Sequence, residues 1–259
     1  MNFKTLLPDK SISLFVKSIL IFEETESDIE TILPFFADGY PGLMFQETTN
    51  GLLVNPHNKV MPEMFLYGQT LKPIELVMKG SYKLIIFQLY PFVLKSFFDL
   101  SHKDLNDTCY DLDQLNNGKG IDALKKLKQT PNLEKRIQII SLLLHTLFKH
   151  KKQELDLTVA LGIQKIIHHK GLLAISDLHN ELHLTERTFE RRFFNEVGIT
   201  AKQFSKIIQF QRSLEQLQVK DYTRLTDIVY ANGFADQSHF IKVFKAFTGK
   251  TPLAFTSKQ

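Results

Sequence analysis

Two stretches near the C-terminus carry one skeleton: Phe189-x3-Phe193-x4-Gly198-x-Thr200 and Phe240-x3-Phe244-x4-Gly249-x-Thr251, every position offset by 51. Phenylalanines four apart lie on one face of a helix, and a glycine just beyond the last apolar residue is a left-handed helix stop. A chain with this skeleton builds the same short helix twice. In the second copy Asp236 is a cap, and Phe240, Val243, Phe244 and Phe247 form an i, i+3, i+4, i+7 stripe. Before it, "LTDIVYANGF" reads as a shorter helix with Leu225, Ile228 and Val229 inward, closing on the Asn232-Gly233 turn. In the first copy "ISDLHNELHL" offers Ser176 or Asp177 as cap and Leu178 and Leu182 as the buried pair. Thr185 then caps a helix burying Phe189, Phe193 and Val197.

Each Gly-x-Thr opens a further helix. Thr200 caps a long one, Ala201 to Leu217, with the stripe Phe204, Ile207, Ile208, Leu214 and Leu217; Thr251-Pro252 is a cap with proline at the first helical position. The expectation is two helix-turn-helix units joined by a linker helix. The second helix of such a pair enters the DNA major groove, and two of them can read groove segments about one turn, roughly 34 Å, apart. The polar faces suit that task. Arg187, Thr188, Glu190, Arg191 and Asn195 lie off the apolar face of the first, and Gln237, Ser238, His239 and Lys242 off that of the second. Arginine pairs with guanine, glutamine with adenine, and a carboxylate accepts from cytosine. A solvated helix face has similar composition; the matching repeat copies favour the reading faces. Residues 171–259 hold 12 Lys+Arg against 9 Asp+Glu, most of the net +4 of the chain.

These residues resemble the AraC/XylS family of bacterial transcription regulators. The resemblance spans about Leu173 to Phe255 and is strongest over "IVYANGFADQSHFIKVFKAFTGKTPLAF", with its Gly-Phe, Gln-Ser, Phe-x-x-x-Phe, Gly and Thr-Pro. It implies that Arg187, Glu190 and Arg191 face bases from the first recognition helix, and Gln237, Ser238, His239 and Lys242 from the second. The first unit departs in carrying His179 where the family usually has a small alanine.

The first ninety residues read as short strands with turn signals: "ISLFVKSILIF", "PGLMFQET", "GLLVNP", "EMFLYGQ", "PIELVMKG" and "YKLIIFQLYP", before a helical "FVLKSFFDL". Such spacing suggests an antiparallel sandwich or barrel. "LPFFADGYPGLMF" and the strand ending in Phe-x-Pro are similar to the sensor domains of some family members, which implies a sensing or dimerisation domain without naming a ligand. Phe35, Phe36, Phe45, Phe65 and Phe87 are core or line an apolar pocket. Leu133, Ile137, Ile140, Leu144 and Leu147 step by 4, 3, 4, 3 along a helix that packs on its own domain or dimerises. A further helical stretch, Leu155 to Lys170, ends in His168-His169; adjacent helical residues point apart, so this is a solvated helix end, not a metal pair.

The expected fold class is therefore α+β: a β-rich domain with helices over 1–170, then an all-α double helix-turn-helix domain over 171–259. The lone Cys109 excludes a disulfide framework and a cysteine zinc site. His57 and His102 stand alone where a cupin-type metal enzyme needs a His-x-His cluster, and no Gly-rich phosphate loop or nucleophile elbow occurs. No enzyme activity, metal or cofactor is expected. No apolar run spans a membrane and no secretory leader opens the chain, so a cytoplasmic protein is expected. The expected partners are double-stranded promoter DNA and RNA polymerase, with a small-molecule effector and a homodimer compatible with the N-terminal half. The alternative is a regulator acting through protein contacts, with DNA binding weakened or lost.

Overall fold

The computed structural model describes residues 2–26, 29–98, 100, 101, 104, 106–112, 119–151, 155–220 and 222–257. The chain divides into two compact units. The first holds Met1–Phe35, Tyr40–Gln69 and Ile74–Leu155; the second holds Asp156–Gln259 with the short segments Phe36–Gly39 and Thr70–Pro73.

The first unit is built on two antiparallel sheets. Its strands are β1 (Asn2–Leu6), β2 (Val16–Glu24), β3 (Glu30–Phe35), β4 (Gly42–Thr48), β5 (Leu52–Asn55), β6 (Lys59–Val60), β7 (Met64–Tyr67), β8 (Ile74–Lys79), β9 (Tyr82–Leu89) and β10 (Cys109–Asp111). The six-stranded sheet runs β1-β2-β9-β4-β7-β10 and the four-stranded sheet β3-β8-β5-β6. Register sets which residues meet: β4 pairs β9 with Met44 opposite Ile86 and Phe45 opposite Ile85. Because side chains alternate, Met44, Leu84 and Ile86 join Leu52, Val54, Leu76 and Met78 of the other sheet in one core. Pro34 sits in β3, at a sheet edge, where a missing donor costs no ladder bond.

Leu43 and Phe45 of β4 are buried on the opposite face, and Glu47 is half-buried. The Arg136 guanidinium lies 5.5 Å from the Phe45 ring centre and forms a two-pronged pair with Glu47 (Nη2 to Oε1, 2.6 Å). Arg136 belongs to α3 (Leu133–Lys151), which follows α1 (Val93–Phe98) and α2 (Lys119–Lys128). Phe148 of α3 closes a ring cluster with Phe15 and Phe97, at 4.4 and 4.7 Å. Ile140, Leu144 and Leu147 are buried while Leu133 and Ile137 are half-buried, so most of the 4, 3, 4, 3 stripe is spent on its own unit. Phe45, Phe65 and Phe87 are likewise core, and Phe35 and Phe36 are half-buried. Indentations in this unit lie elsewhere and are polar. One of about 480 Å³ is bordered by Glu23, Glu47, Thr48, Ser81 and Lys83. Another of about 400 Å³ is bordered by Gln46, Met61, Glu63, Asp111 and Leu124.

The second unit is helical: α4 (Leu157–His168), α5 (Ile175–Glu181), α6 (Glu186–Val197), α7 (Ala201–Val219), α8 (Leu225–Ala231), α9 (Gln237–Thr248) and α10 (Pro252–Thr256). It reaches back past the expected start at 171 because α4 packs on it. Gly162 of α4 faces the Phe189 ring, Lys165 pairs with Glu181 at 2.6 Å, and Asp156 lies 3.9 Å from Arg192. His168 and His169 are exposed at the end of α4. His102 lies outside the described residues. Among the described residues, no helix is long and apolar enough to cross a membrane, and no group of three or more His, Cys, Asp or Glu could hold a metal ion.

Candidate nucleic-acid interface

The two helix-turn-helix units are α5-turn-α6 and α8-turn-α9, with α7 between them. Four of the expected caps hold by direct bonds: Thr185 accepts from the Thr188 N–H, Asp236 from the His239 N–H (2.8 Å), Thr200 from the Gln203 N–H (3.1 Å) and Thr251 from the Ala254 N–H (3.3 Å). Gly198 and Gly249 end α6 and α9 in the left-handed region, at φ 79° and 73°. One expected cap differs. Helix α5 begins at Ile175 with Ala174 in the cap position and no side-chain cap, so Ser176 and Asp177 sit inside the first turn. There a carboxylate still favours the helix dipole without closing a donor.

The turns show how the copies register. In the first, Leu182, His183 and Leu184 N–H donate to Leu178, Asn180 and His179 O; in the second, Asn232, Gly233 and Phe234 donate to Ile228, Tyr230 and Val229 O. Every donor and acceptor is offset by 50, whereas the caps and second helices are offset by 51. The second turn is one residue longer. The left-handed position is Gly233 (φ 73°) in one copy and His183 (φ 54°) in the other. His179, which stands in place of a small residue, places its Nδ1 3.2 Å from the Leu184 carbonyl and so ties the turn to α5.

The ring packing repeats as well. Phe189–Phe193 and Phe240–Phe244 have centroids 5.7 and 5.6 Å apart. Phe193 then meets Phe204 at 5.9 Å, and Phe244 meets Phe255 at 5.5 Å, again offset by 51. Phe244 also touches Phe210 of α7 at 5.5 Å. Both second helices are thus anchored by buried phenylalanines, all four 0% exposed in α6 and α9.

What they leave outward differs from residue to residue. On α6, Arg187 and Arg191 are exposed. Thr188 is half-buried, and its Oγ1 accepts from Thr185 Oγ1 at 2.9 Å. Glu190 is half-buried too; its Oε2 accepts from the Ala201 N–H at 3.2 Å. Burial raises the Glu190 carboxyl above its ordinary range, partly countered by that backbone bond. On α9, Gln237, Ser238 and Lys242 are exposed, whereas the His239 ring packs edge-on to Phe234 at 5.7 Å. The outward set is therefore Arg187, Arg191, Asn195, Gln237, Ser238 and Lys242, with Thr188, Glu190 and His239 partly engaged within the fold. Two ties were not anticipated. Arg192 reaches toward Asp156, and Asn232 donates to Gln216 Oε1 and the Ile228 carbonyl (2.8 Å), locking the second turn to α7.

Residues 178–258 match a family model described as a helix-turn-helix domain, and residues 4–111 match a domain of unknown function, DUF6597. Among curated proteins none matches the chain in sequence. Among solved structures, the chain is similar to ToxT from Vibrio cholerae, with 13% identity over 99% of this chain and 98% of that one, and a TM-score of 0.50. A ToxT structure with a bound unsaturated fatty acid gives 13% identity over 92% and 94%, with a TM-score of 0.49. The C-terminal domain of AraT, a response regulator from Geobacillus stearothermophilus, gives 20% identity over 39% and 85%, with a TM-score of 0.37. The first of these likenesses shows the shared fold, a β-rich N-terminal part followed by a helical C-terminal part. The duplicated units on one linker helix and the Gly-Phe to Thr-Pro signature thus fall, apart from the start of α5, within a segment, 178–258, that matches the helix-turn-helix domain model.

Proposed function

We propose that the protein binds promoter DNA sequence-specifically and reads two successive major-groove segments, one with α6 and one with α9. The observation that carries this is the repeated ring packing: Phe193–Phe204 and Phe244–Phe255 hold equivalent helices in equivalent settings. Arg187 and Arg191 are exposed on one, and Gln237, Ser238 and Lys242 on the other. Arginine and glutamine make bidentate bonds to base edges, while lysine and helix N-termini position the phosphates. Thr188 and His239 belong to the reading faces as well, with smaller accessible portions, whereas Glu190 of α6 is turned to the Ala201 N–H. The net positive charge is modest, so phosphate contacts come from local clustering rather than from a strongly basic surface.

In this reading the unit over 171–259, with α4 packed against it, is the reader, and the first unit responds to a signal. It sets oligomeric state or access in response to a small-molecule effector, and the bound regulator contacts RNA polymerase from the cytoplasm. The test is selection of duplexes from a randomised pool by the full chain, followed by footprinting of the selected sequence at two salt concentrations. Two protected major-groove segments about 10 bp apart, weakening as salt rises, are expected. A single protected segment would remove the two-reader model. A chain that enriches no sequence would favour action through protein contacts.

A further inference from the structure

Glu190 occupies a polar position on α6 but behaves differently from its neighbours Arg187 and Arg191. They are exposed; it is half-buried, with Oε2 on the N–H of Ala201, the first residue of α7. Ala201 is itself 0% exposed. The first N–H groups of a helix have no partner within the helix and must be closed from outside when buried. Thr200 closes the Gln203 N–H (3.1 Å), and Glu190 closes that of Ala201.

The second copy solves the same problem differently. At the offset of 51, Glu190 corresponds to Ile241 and Ala201 to Pro252. Proline has no N–H, so no acceptor is required there. The backbone is otherwise the same: Thr200 caps α7 at φ −71°, ψ 155°, and Thr251 caps α10 at φ −73°, ψ 156°. Donor and acceptor are present together in one copy and absent together in the other. A residue kept only to touch bases has no reason to vary in step with a buried N–H eleven residues on.

We propose that Glu190 is a positioning residue: it fixes recognition helix α6 to the first turn of α7 through the Ala201 N–H, and does not read a base. The inference rests on α6 being a reading helix. Its structural half stands on the geometry alone.

The experiment is a double-mutant cycle in the full chain that converts the first copy to the second: Glu190→Ile, Ala201→Pro, and the two combined, with Glu190→Gln as the conservative control. Thr200 already has the extended backbone that a following proline requires. Each single change leaves a buried donor or carboxylate without its partner, and a midpoint of unfolding about 3–6 °C lower is expected for each. The double variant is expected to recover most of that loss, and Glu190→Gln, which keeps an acceptor, to melt no lower than the unchanged protein. Additive losses in the double variant would overturn the proposal. In duplex selection, Glu190→Gln and the double variant are expected to retain the preferred sequence of the unchanged chain. Glu190→Ile is expected to weaken all sequences by a common factor of about fivefold. A changed base preference at one step with Glu190→Gln would make it a reader and overturn the proposal. If the unchanged chain enriches no sequence, the DNA reading of α6 fails by itself. The unfolding cycle then still decides the strut, recovery supporting it and additivity overturning it.

Discussion

Gly171 and Gly249 form a controlled pair. Both have positive φ, +75° and +73°. A Cβ at Gly249 would meet nothing within 4 Å, whereas one at Gly171 would lie 2.4 Å from the Ser205 carbonyl oxygen and 2.9 Å from Gln209 Cγ. Alanine at either site suffers the left-handed backbone penalty of about 1–2 kcal/mol, less roughly 0.4–1 kcal/mol for the smaller ordering entropy of alanine. Gly249→Ala should therefore cost about 1 kcal/mol. At Gly171 the nearest obstacle is backbone, which cannot swing away, so the segment after α4 must move off α7. That adds about 1–3 kcal/mol of overpacking. It also strains the bond from Gln209 Nε2 to the Gly171 carbonyl, 3.0 Å in length and worth about 1 kcal/mol. A gap of about 2–3 kcal/mol between the two variants follows. For a unit of about 100 residues each kcal/mol moves the midpoint by roughly 4–8 °C, so the gap should exceed about 8 °C in calorimetric melts of the full chain. Equal midpoints would show that the joint between α4 and α7 has slack, and that only the backbone conformation matters at either glycine.

Arg191→Ala is expected to weaken specific binding by about 1–3 kcal/mol and relax one base position; an unchanged ratio of selected to random DNA would remove Arg191 from the readout set. His183 occupies the left-handed turn position that Gly233 fills in the second copy, so His183→Gly should stabilise the chain by about 0.5–1 kcal/mol, read as a higher urea midpoint at unchanged slope. Glu190 has its carboxyl raised above the ordinary 4.5 by burial. Such a group favours folding below its unfolded pKa, and that contribution is lost as pH rises through the higher folded value. Glu190→Gln should therefore gain stability relative to the unchanged chain as pH rises from about 4 toward neutrality. Parallel curves for the two would show no burial cost at this carboxyl.

The helical half was legible because its signals are local. Caps at Thr185, Thr200, Asp236 and Thr251, stops at Gly198 and Gly249, and stripes of phenylalanine each sit within a few residues of the helix they define. The strands β2, β4, β5, β7, β8 and β9 were legible for the same reason, as apolar runs between turns. Strand β1 was not: all five of its residues are exposed, and it is held by pairing with β2, where Phe3 meets Phe22 at 4.8 Å. Strand β10 has three residues and exists only by pairing with β7. At the interface, polarity marked Glu190 and Arg191 alike as readers. The structure differs between them in burial, and the one trace of that in the sequence is Pro252 opposite Ala201, which becomes meaningful only once the N–H of Ala201 is seen to be buried.

The repeat is larger than the skeleton that first reveals it. The first helices correspond at an offset of 50 and the second helices at 51, and the offset of 51 continues into the next helix: Thr200 with Thr251, Ala201 with Pro252, Phe204 with Phe255. The repeating unit is thus three helices, with α7 the third helix of the first copy and the five-residue α10 that of the second. Helix α7 differs in continuing to Val219, and its continuation carries Phe210, Leu214 and Leu217 into the core of the second unit. One helix is therefore both the last part of one helix-turn-helix copy and the foundation of the next. The spacing between α6 and α9 is set by the length and phase of α7 rather than by a loop, because at about 100° per residue one or two residues inserted between Phe204 and Phe210 would turn Phe210 away from Phe244. A linker of this kind suits a protein that must meet two groove segments in a set relation, whereas independent binding modules need only a flexible tether.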